Sequence, residues 1–322
     1  MNIAIIGAGL IGRKRVLSLP KGISLTTTCD IDASKGEQFA AEFNCQYEAD
    51  WQRITAEPKI TGVFVATTHD CLADIAAACI NKGKHVLIEK PGAIGREAFK
   101  KIITAYRKNK VVVVVGYNHR YHPAIRKAKE TIDSKKFGPV LFIRARYGHG
   151  GRVGYEKEWR FKKAISGGGQ LIDQGTHLID LTNFFIGNMD VVTGLTETLF
   201  WNTKAEDSAF LLLKSNKGQI AQLSTTCLEW KNIFSFEIML QKAKIQIDGL
   251  GGSYGREKLT IFKMKRQMGP PDVEQYLFPK EDNSWKLENA EFFRRIKEKD
   301  YSDQAINNAK YVLDVVDKIY RK

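Results

Sequence analysis

Three short stretches gather side chains whose types and spacing can do chemistry. The first is Gly7-Ala8-Gly9-Leu10-Ile11-Gly12, directly after the apolar run Asn2 to Ile6. Gly7 permits a tight strand-to-helix turn, Gly9 lets backbone approach a pyrophosphate, and Gly12 lets a helix pack close to a strand. Leu10 and Ile11 fall at the helix start, where backbone N–H groups face phosphate. Asp30 follows a second strand, Ser24 to Cys29, and lies 18 residues after Gly12, where an acid meets the hydroxyls of an adenosine ribose. Its charge repels a 2′-phosphate, so the expected cofactor is NAD rather than NADP, with Arg13, Lys14 and Arg15 placed to soften that preference.

The second stretch is Glu89-Lys90-Pro91, at the end of the strand His85 to Ile88. Strand C-termini in a doubly wound sheet line the ligand crevice, so Lys90 is aimed at cofactor or substrate. The third is Ser166-Gly167-Gly168-Gly169-Gln170-Leu171-Ile172-Asp173-Gln174-Gly175-Thr176-His177. On an α-helix from about Gln170, Asp173 and His177 share a face, and a carboxylate beside an imidazole anchors a substrate and accepts a proton near neutral pH. The residues alone leave the bland readings open: a surface lysine in a turn, and a capped helix carrying one structural histidine.

The elements around these stretches change character along the chain. Up to about Gly116, short β-branched runs (Thr61 to Ala66, Lys84 to Ile88, Val111 to Val115) alternate with helical periods, the pattern of parallel strands covered by helices. A doubly wound α/β domain over residues 1–118 is expected, with a boundary near Asn118. Residues 119–322 read as α+β, with a strand over Val140 to Tyr147 and later segments that alternate like an antiparallel sheet: Val191 to Phe200, Ser208 to Leu213, Ile220 to Thr226, Ser235 to Leu240 and Ala243 to Asp248. Amphipathic helices are expected over Ser284 to Ile296 and Ser302 to Tyr320. Gly249 to Gly255 reads as a turn rather than a phosphate loop, because no parallel-sheet spacing surrounds it.

Composition narrows the class further. With 322 residues, 43% hydrophobic and 27% charged, the chain fits a two-domain globular protein and neither a disordered nor a fibrous one. No apolar run is long enough to span a bilayer and no signal segment precedes the first strand, so a cytoplasmic protein with no membrane partner is expected. The five cysteines show no C-x-x-C pair and no zinc spacing, so reduced thiols and no metal are expected. The formal charge of +14 is spread among interspersed acids, the pattern of a solvated surface rather than of a nucleic-acid-binding face, and attraction of an anionic substrate is compatible with either.

The glycine turn, Asp30, Glu89-Lys90-Pro91, the junction Gly116-Tyr117-Asn118-His119-Arg120-Tyr121-His122-Pro123-Ala124 and the Ser166 to Asp180 stretch together resemble the glucose-fructose oxidoreductase, inositol dehydrogenase and MocA (Gfo/Idh/MocA) family over essentially the whole length. The resemblance implies a Rossmann domain and a C-terminal domain whose open sheet forms an oligomer interface, giving a dimer or tetramer. It also implies NAD-dependent hydride transfer at a secondary hydroxyl or ketone of a sugar, polyol or nucleotide-linked sugar. Lys90, Asp173 and His177 are then catalytic. Gly7, Gly9, Leu10, Ile11, Gly12, Asp30, Thr67, Glu89 and Lys90 meet the cofactor, and Asn118, Arg120, Tyr147, Trp159 and Arg160 line the substrate cleft. The sequence departs from the family where many members carry T-P-x-x-x-H: Thr68 follows Thr67, and Leu72 stands at the histidine position. Two rival readings are a redox-elimination glycosidase, which turns over without external NAD, and a non-catalytic NAD-binding regulator.

Overall fold

A computed structural model describes residues 1–321, so Lys322 lies outside the described residues. The chain forms two compact units, neither contiguous in sequence. The first comprises Met1–Tyr117, Ala164–Gly167 and Trp285–Leu313; the second comprises Asn118–Lys163, Gly168–Ser284 and the residues from Asp314 onward.

The first unit is built on a parallel sheet of β1 (Asn2–Ile6), β2 (Ser24–Cys29), β3 (Gln46–Tyr47), β4 (Gly62–Val65), β5 (His85–Glu89) and β6 (Val113–Gly116). The strand order is β3-β2-β1-β4-β5-β6, the doubly wound dinucleotide-binding order. Ile3, Ile5, Val63, Val65, Val86, Ile88 and Val113 are buried, because helices cover both faces and leave no solvent side to alternate toward. The covering helices are α1 (Leu10–Leu17), α2 (Ala33–Phe43), α3 (Trp51–Ala56), α4 (His69–Asn81) and α5 (Arg96–Lys108). In α5 the helical spacing of Phe99, Ile102 and Ala105 puts them inside, with Lys100 and Lys101 outside. From α9 (Ser284–Glu298), Phe292 enters the same core, its ring centroid 5.8 Å from that of Phe64.

The second unit carries α6 (Pro123–Asp133), β7 (Val140–Gly148), α7 (Lys163–Ser166, assigned to the first unit from Ala164), α8 (Thr176–Ile186), β8 (Asp190–Glu197), β9 (Ser208–Lys214), β10 (Ile220–Thr226), β11 (Ile233–Leu240), β12 (Ala243–Asp248), β13 (Lys258–Lys263) and β14 (Asp272–Leu277). The sheet order is β14-β13-β12-β11-β7-β10-β9-β8, antiparallel except between β7 and β10. α8 lies against β7 and β10, and α6 against β12 and β13. On the opposite sheet face Phe142, Leu195, Phe210 and Ile220 remain exposed. The last helix, α10 (Gln304–Tyr320), supplies residues to both units.

Two local expectations are corrected. The strand expected to reach Phe200 stops at Glu197. The buried Asp207 carboxylate accepts the backbone N–H groups of Leu199, Phe200 and Trp201 at 2.9–3.1 Å and draws the chain off the ladder. The segment from Gln170, expected as α-helix, is a π turn over Leu171–Gly175 that runs into α8. The Gly249 to Gly255 segment is a turn between β12 and β13, as expected, whereas β13 and β14 were not anticipated. Among the described residues no helix is long and apolar enough to cross a membrane, and no His/Cys/Asp/Glu group is arranged to hold a metal.

Candidate active site

In the first unit the glycine turn follows β1 directly. Gly7 has φ +109°, and a Cβ there would overlap the Ala66 carbonyl; a Cβ on Gly12 would overlap the Gly7 carbonyl oxygen. Those two glycines pack backbone on backbone. Gly9 is different, because nothing lies within 4 Å of where its Cβ would stand. No side chain caps the start of α1 at Gly9. The Asp30 carboxylate, at the end of β2, accepts the N–H of Ala8 at 2.8 Å and of Asp32 at 2.9 Å, which fixes it against the turn. Thr67, after β4, lies beside Gly7, and its hydroxyl donates to the Thr68 carbonyl at 3.2 Å. The open Gly9 surface, the uncapped helix start and the fixed Asp30 fit a dinucleotide.

Glu89 and Lys90 diverge. Glu89 Oε1 accepts from Arg15 Nε at 2.6 Å, in the interior of the unit. Arg15 is fully buried and also meets Glu288 at 2.6 Å and Asn289 at 3.1 Å, with its guanidinium 4.6 Å from the Trp285 ring centroid. Burial alone would lower the Arg15 pKa; Glu288 and Glu89 more than offset it and hold the guanidinium above its ordinary value. Arg15 is therefore withdrawn from any role toward a ribose phosphate, and Arg13 pairs with Glu42 at 2.6 Å. Lys90 itself is partly exposed at the end of β5, and its bond to Pro91 is cis. Leu72, at the position where many family members carry histidine, is fully buried in α4.

In the second unit the π turn carries Asp173 and α8 carries His177, and both side chains are buried. π insertions are rare and recur at functional sites. Arg160 Nε reaches Asp173 Oδ2 at 3.2 Å, and the Arg160 guanidinium lies 4.7 Å from the Trp159 ring centroid. The His177 ring stacks on His119 with centroids 3.7 Å apart and planes 16° apart, and Tyr147 meets both rings edge-on. Behind His119 stands His122, whose Nδ1 is 3.1 Å from Glu257. Burial, then Tyr254, pushes the Tyr147 phenol well above its ordinary value, so it stays protonated.

Of the five expected cleft residues, Tyr147, Trp159 and Arg160 thus surround Asp173 and His177. The other two are engaged elsewhere. Arg120 forms a two-pronged pair with Asp180 at 2.6 and 2.7 Å, and Asn118 donates to Ser284 Oγ at 2.9 Å. Burial raises the Asp180 pKa against the opposing pull of Arg120. Sequence reasoning missed His119, although it sits in the junction motif; the cluster of three histidines and two tyrosines at positions 117–122 and 177 was its available signal.

Residues 1–117 match the family model described as an oxidoreductase family with an NAD-binding Rossmann fold, and residues 125–246 match the GFO/IDH/MocA C-terminal domain. Among curated proteins, the levoglucosan dehydrogenase of Pseudarthrobacter phenanthrenivorans is 29% identical over 214 residues, 62% of this chain and 54% of that protein. The inositol 2-dehydrogenase 2 of Saccharopolyspora erythraea is 26% identical over 236 residues, 69% of this chain and 66% of that protein. The chain thus spans between half and two thirds of the length of these relatives. Among solved structures, levoglucosan dehydrogenase in complex with NADH and L-sorbose superposes with a TM-score of 0.90 at 22% identity, covering 100% of this chain and 96% of that one. An oxidoreductase domain protein from Kribbella flavida gives 0.88 at 22% identity, covering 99% and 96%. These likenesses establish the fold. With both of its domain models matched in order along the sequence, the chain belongs to the Gfo/Idh/MocA family, and its first unit is an NAD-binding Rossmann domain.

Proposed function

We propose that the protein is an NAD-dependent dehydrogenase acting on a secondary hydroxyl or ketone of a sugar, polyol or nucleotide-linked sugar. The observation that carries this reading is the pair of buried side chains Asp173 and His177, the first reached by the half-buried Arg160 and the second stacked on His119, in a family whose matched first domain binds NAD. Relatives named for levoglucosan and inositol support a polyhydroxylated substrate. Bound NAD supplies a hydride acceptor for the oxidative direction. Gly9, Leu10, Ile11 and Thr67 approach its phosphates and nicotinamide side, and Asp30 takes the ribose hydroxyls. His177 accepts the proton of the reacting hydroxyl, and the ring stack keeps its imidazole from rotating away. Asp173, oriented by Arg160, accepts a hydrogen bond from a neighbouring hydroxyl. Lys90 donates to the reacting oxygen and stabilises its developing negative charge. We further propose a homo-oligomer formed through the exposed sheet face that carries Phe142, Leu195, Phe210 and Ile220.

The test is NADH formation with a panel that includes levoglucosan, myo-inositol and sugar nucleotides, run on the parent, His177→Ala and Lys90→Met. Removing a general base costs about 10²–10⁴ in rate and removing one oxyanion donor about 10²–10³. The pH profile separates them: His177→Ala loses the acidic limb of kcat/KM, whereas Lys90→Met lowers the whole curve and keeps the limb. Full activity in both variants refutes the assignment. Turnover without added NAD identifies the elimination chemistry instead.

A further inference from the structure

Outside the side chains already given roles, the most fully built cluster lies around the triglycine that precedes the π turn. Glu206, in the loop between β8 and β9, is 8% exposed. Its backbone carbonyl accepts the N–H of Gln170 at 3.0 Å. Its Oε1 accepts the N–H of Leu171, the first residue of the π turn, at 3.0 Å. The same oxygen accepts the hydroxyl of Tyr320, the last residue of α10, at 2.6 Å. The chain approaches this closely because Gly168 and Gly169 lack side chains: a Cβ on Gly168 would overlap the Tyr320 hydroxyl, and one on Gly169 would overlap the Glu206 carbonyl oxygen. Asp173 then hydrogen-bonds back to Gly169, its N–H reaching that carbonyl at 3.0 Å.

We propose that Glu206, held by Tyr320, is a positioning residue that fixes the start of the π turn and thereby the directions of the Asp173 and His177 side chains. The inference rests on the reading of those two residues given above. Burial raises the Glu206 carboxyl pKa, and the Tyr320 hydroxyl is the largest opposing influence, favouring the ionised acceptor. Without that acceptor the Leu171 N–H lies buried beside the triglycine with nothing to receive it, and the turn relaxes toward an ordinary α-helix. Such a change rotates Asp173 against His177, and displacements on the order of 1 Å in a reacting constellation cost about 10²-fold in rate.

The experiment compares Tyr320→Phe, Glu206→Ala, Glu206→Gln and His177→Ala in the full chain. The readouts are NADH formation on the most active alcohol of the panel, the dissociation constant for NAD, and the histidine ring resonances by NMR. Tyr320→Phe is expected to lower kcat about tenfold and Glu206→Ala about a hundredfold. Glu206→Gln, which keeps an acceptor oxygen, recovers at least about tenfold of that loss. The His177 ring resonance shifts in Tyr320→Phe, and NAD affinity is unchanged in all four. A merely structural role would lower the melting temperature but leave kcat and the His177 resonance in place well below it. If Glu206→Ala does not fold, Tyr320→Phe decides. Folded variants with kcat within about twofold of the parent and an unmoved His177 resonance overturn the inference alone, provided His177→Ala is inactive. A fully active His177→Ala overturns the reading of the site and this inference with it.

Discussion

The molecule contains two glycine-rich turns that look alike in sequence and differ in what faces them. In Gly7-Ala8-Gly9-Leu10-Ile11-Gly12 the outer glycines press against backbone while Gly9 looks onto open space. In Gly167-Gly168-Gly169 the last two press against Tyr320 and Glu206, and no such opening separates them. Gly9 has an empty Cβ position and a φ of −80° that any residue adopts, so neither packing nor backbone conformation within the chain requires a glycine there. A glycine with a filled Cβ position is there for the fold. On the reading proposed above, the first turn receives the cofactor and the second orients the residues downstream of it.

Substitutions at these positions test that distinction, and the largest effect is expected at Gly169. Its Cβ would meet a carbonyl oxygen rather than a flexible side chain, so Gly169→Ala should lose at least about 3 kcal/mol in urea unfolding. A loss under about 1 kcal/mol would show that the triglycine is not sterically required. Gly9→Ala should do the reverse: the unfolding midpoint holds, and the NAD dissociation constant by calorimetry rises at least about tenfold, or about 1.4 kcal/mol. Unchanged NAD affinity would remove Gly9 from the cofactor surface.

A smaller effect sharpens the second turn. The nearest atom to a Cβ on Gly168 is the Tyr320 hydroxyl oxygen, so Tyr320→Phe should partly relieve Gly168→Ala, giving a favourable coupling of about 1 kcal/mol in a double-mutant cycle. Strict additivity would place the strain elsewhere. The smallest expected effect is in pH. Glu206 has a folded-state pKa raised by burial. Its contribution to stability is complete below its ordinary, unfolded-state value and is lost as pH rises through the raised one. The melting temperature of Glu206→Gln should therefore gain on the parent as pH rises above the ordinary glutamate range of about 4. A difference that shrinks with that rise would contradict the sign.

The first turn was legible in the sequence because its logic is local: strand, glycines, helix and Asp30 follow within 30 residues, and each acts on its neighbours. Five of the six parallel strands were legible for the same reason, as short β-branched and apolar runs, whereas β3, only Gln46–Tyr47 at the sheet edge, carries no such run. Asp173 and His177 stood out by residue type, but the turn that carries them did not. Its shape depends on Glu206, 35 residues beyond Leu171, and on Tyr320, 114 residues beyond Glu206. Local helical periodicity contains no trace of either. Arg15 misled in the opposite sense, since a basic residue just after a dinucleotide turn looks available to phosphate. Its partners Glu89 and Asn289 lie 74 and 274 residues away, and only tertiary packing shows it enclosed.

That enclosed guanidinium bears on how the nucleotide-binding half could be moved between proteins. Arg15 is surrounded by Glu89, Glu288, Asn289 and Trp285, and three of those four come from α9, far along the chain from the strands they serve. A fragment cut after Tyr117 would keep the whole parallel sheet but leave an arginine with one carboxylate and a vacated aromatic face. Breaking a buried charge cluster in this way costs about 3–5 kcal/mol, comparable to the full stability of a small domain. A transplantable module therefore needs residues 1–117 rejoined to 285–313 through a designed linker. Any recombination that exchanged the second unit would have to leave α9 behind with its original sheet.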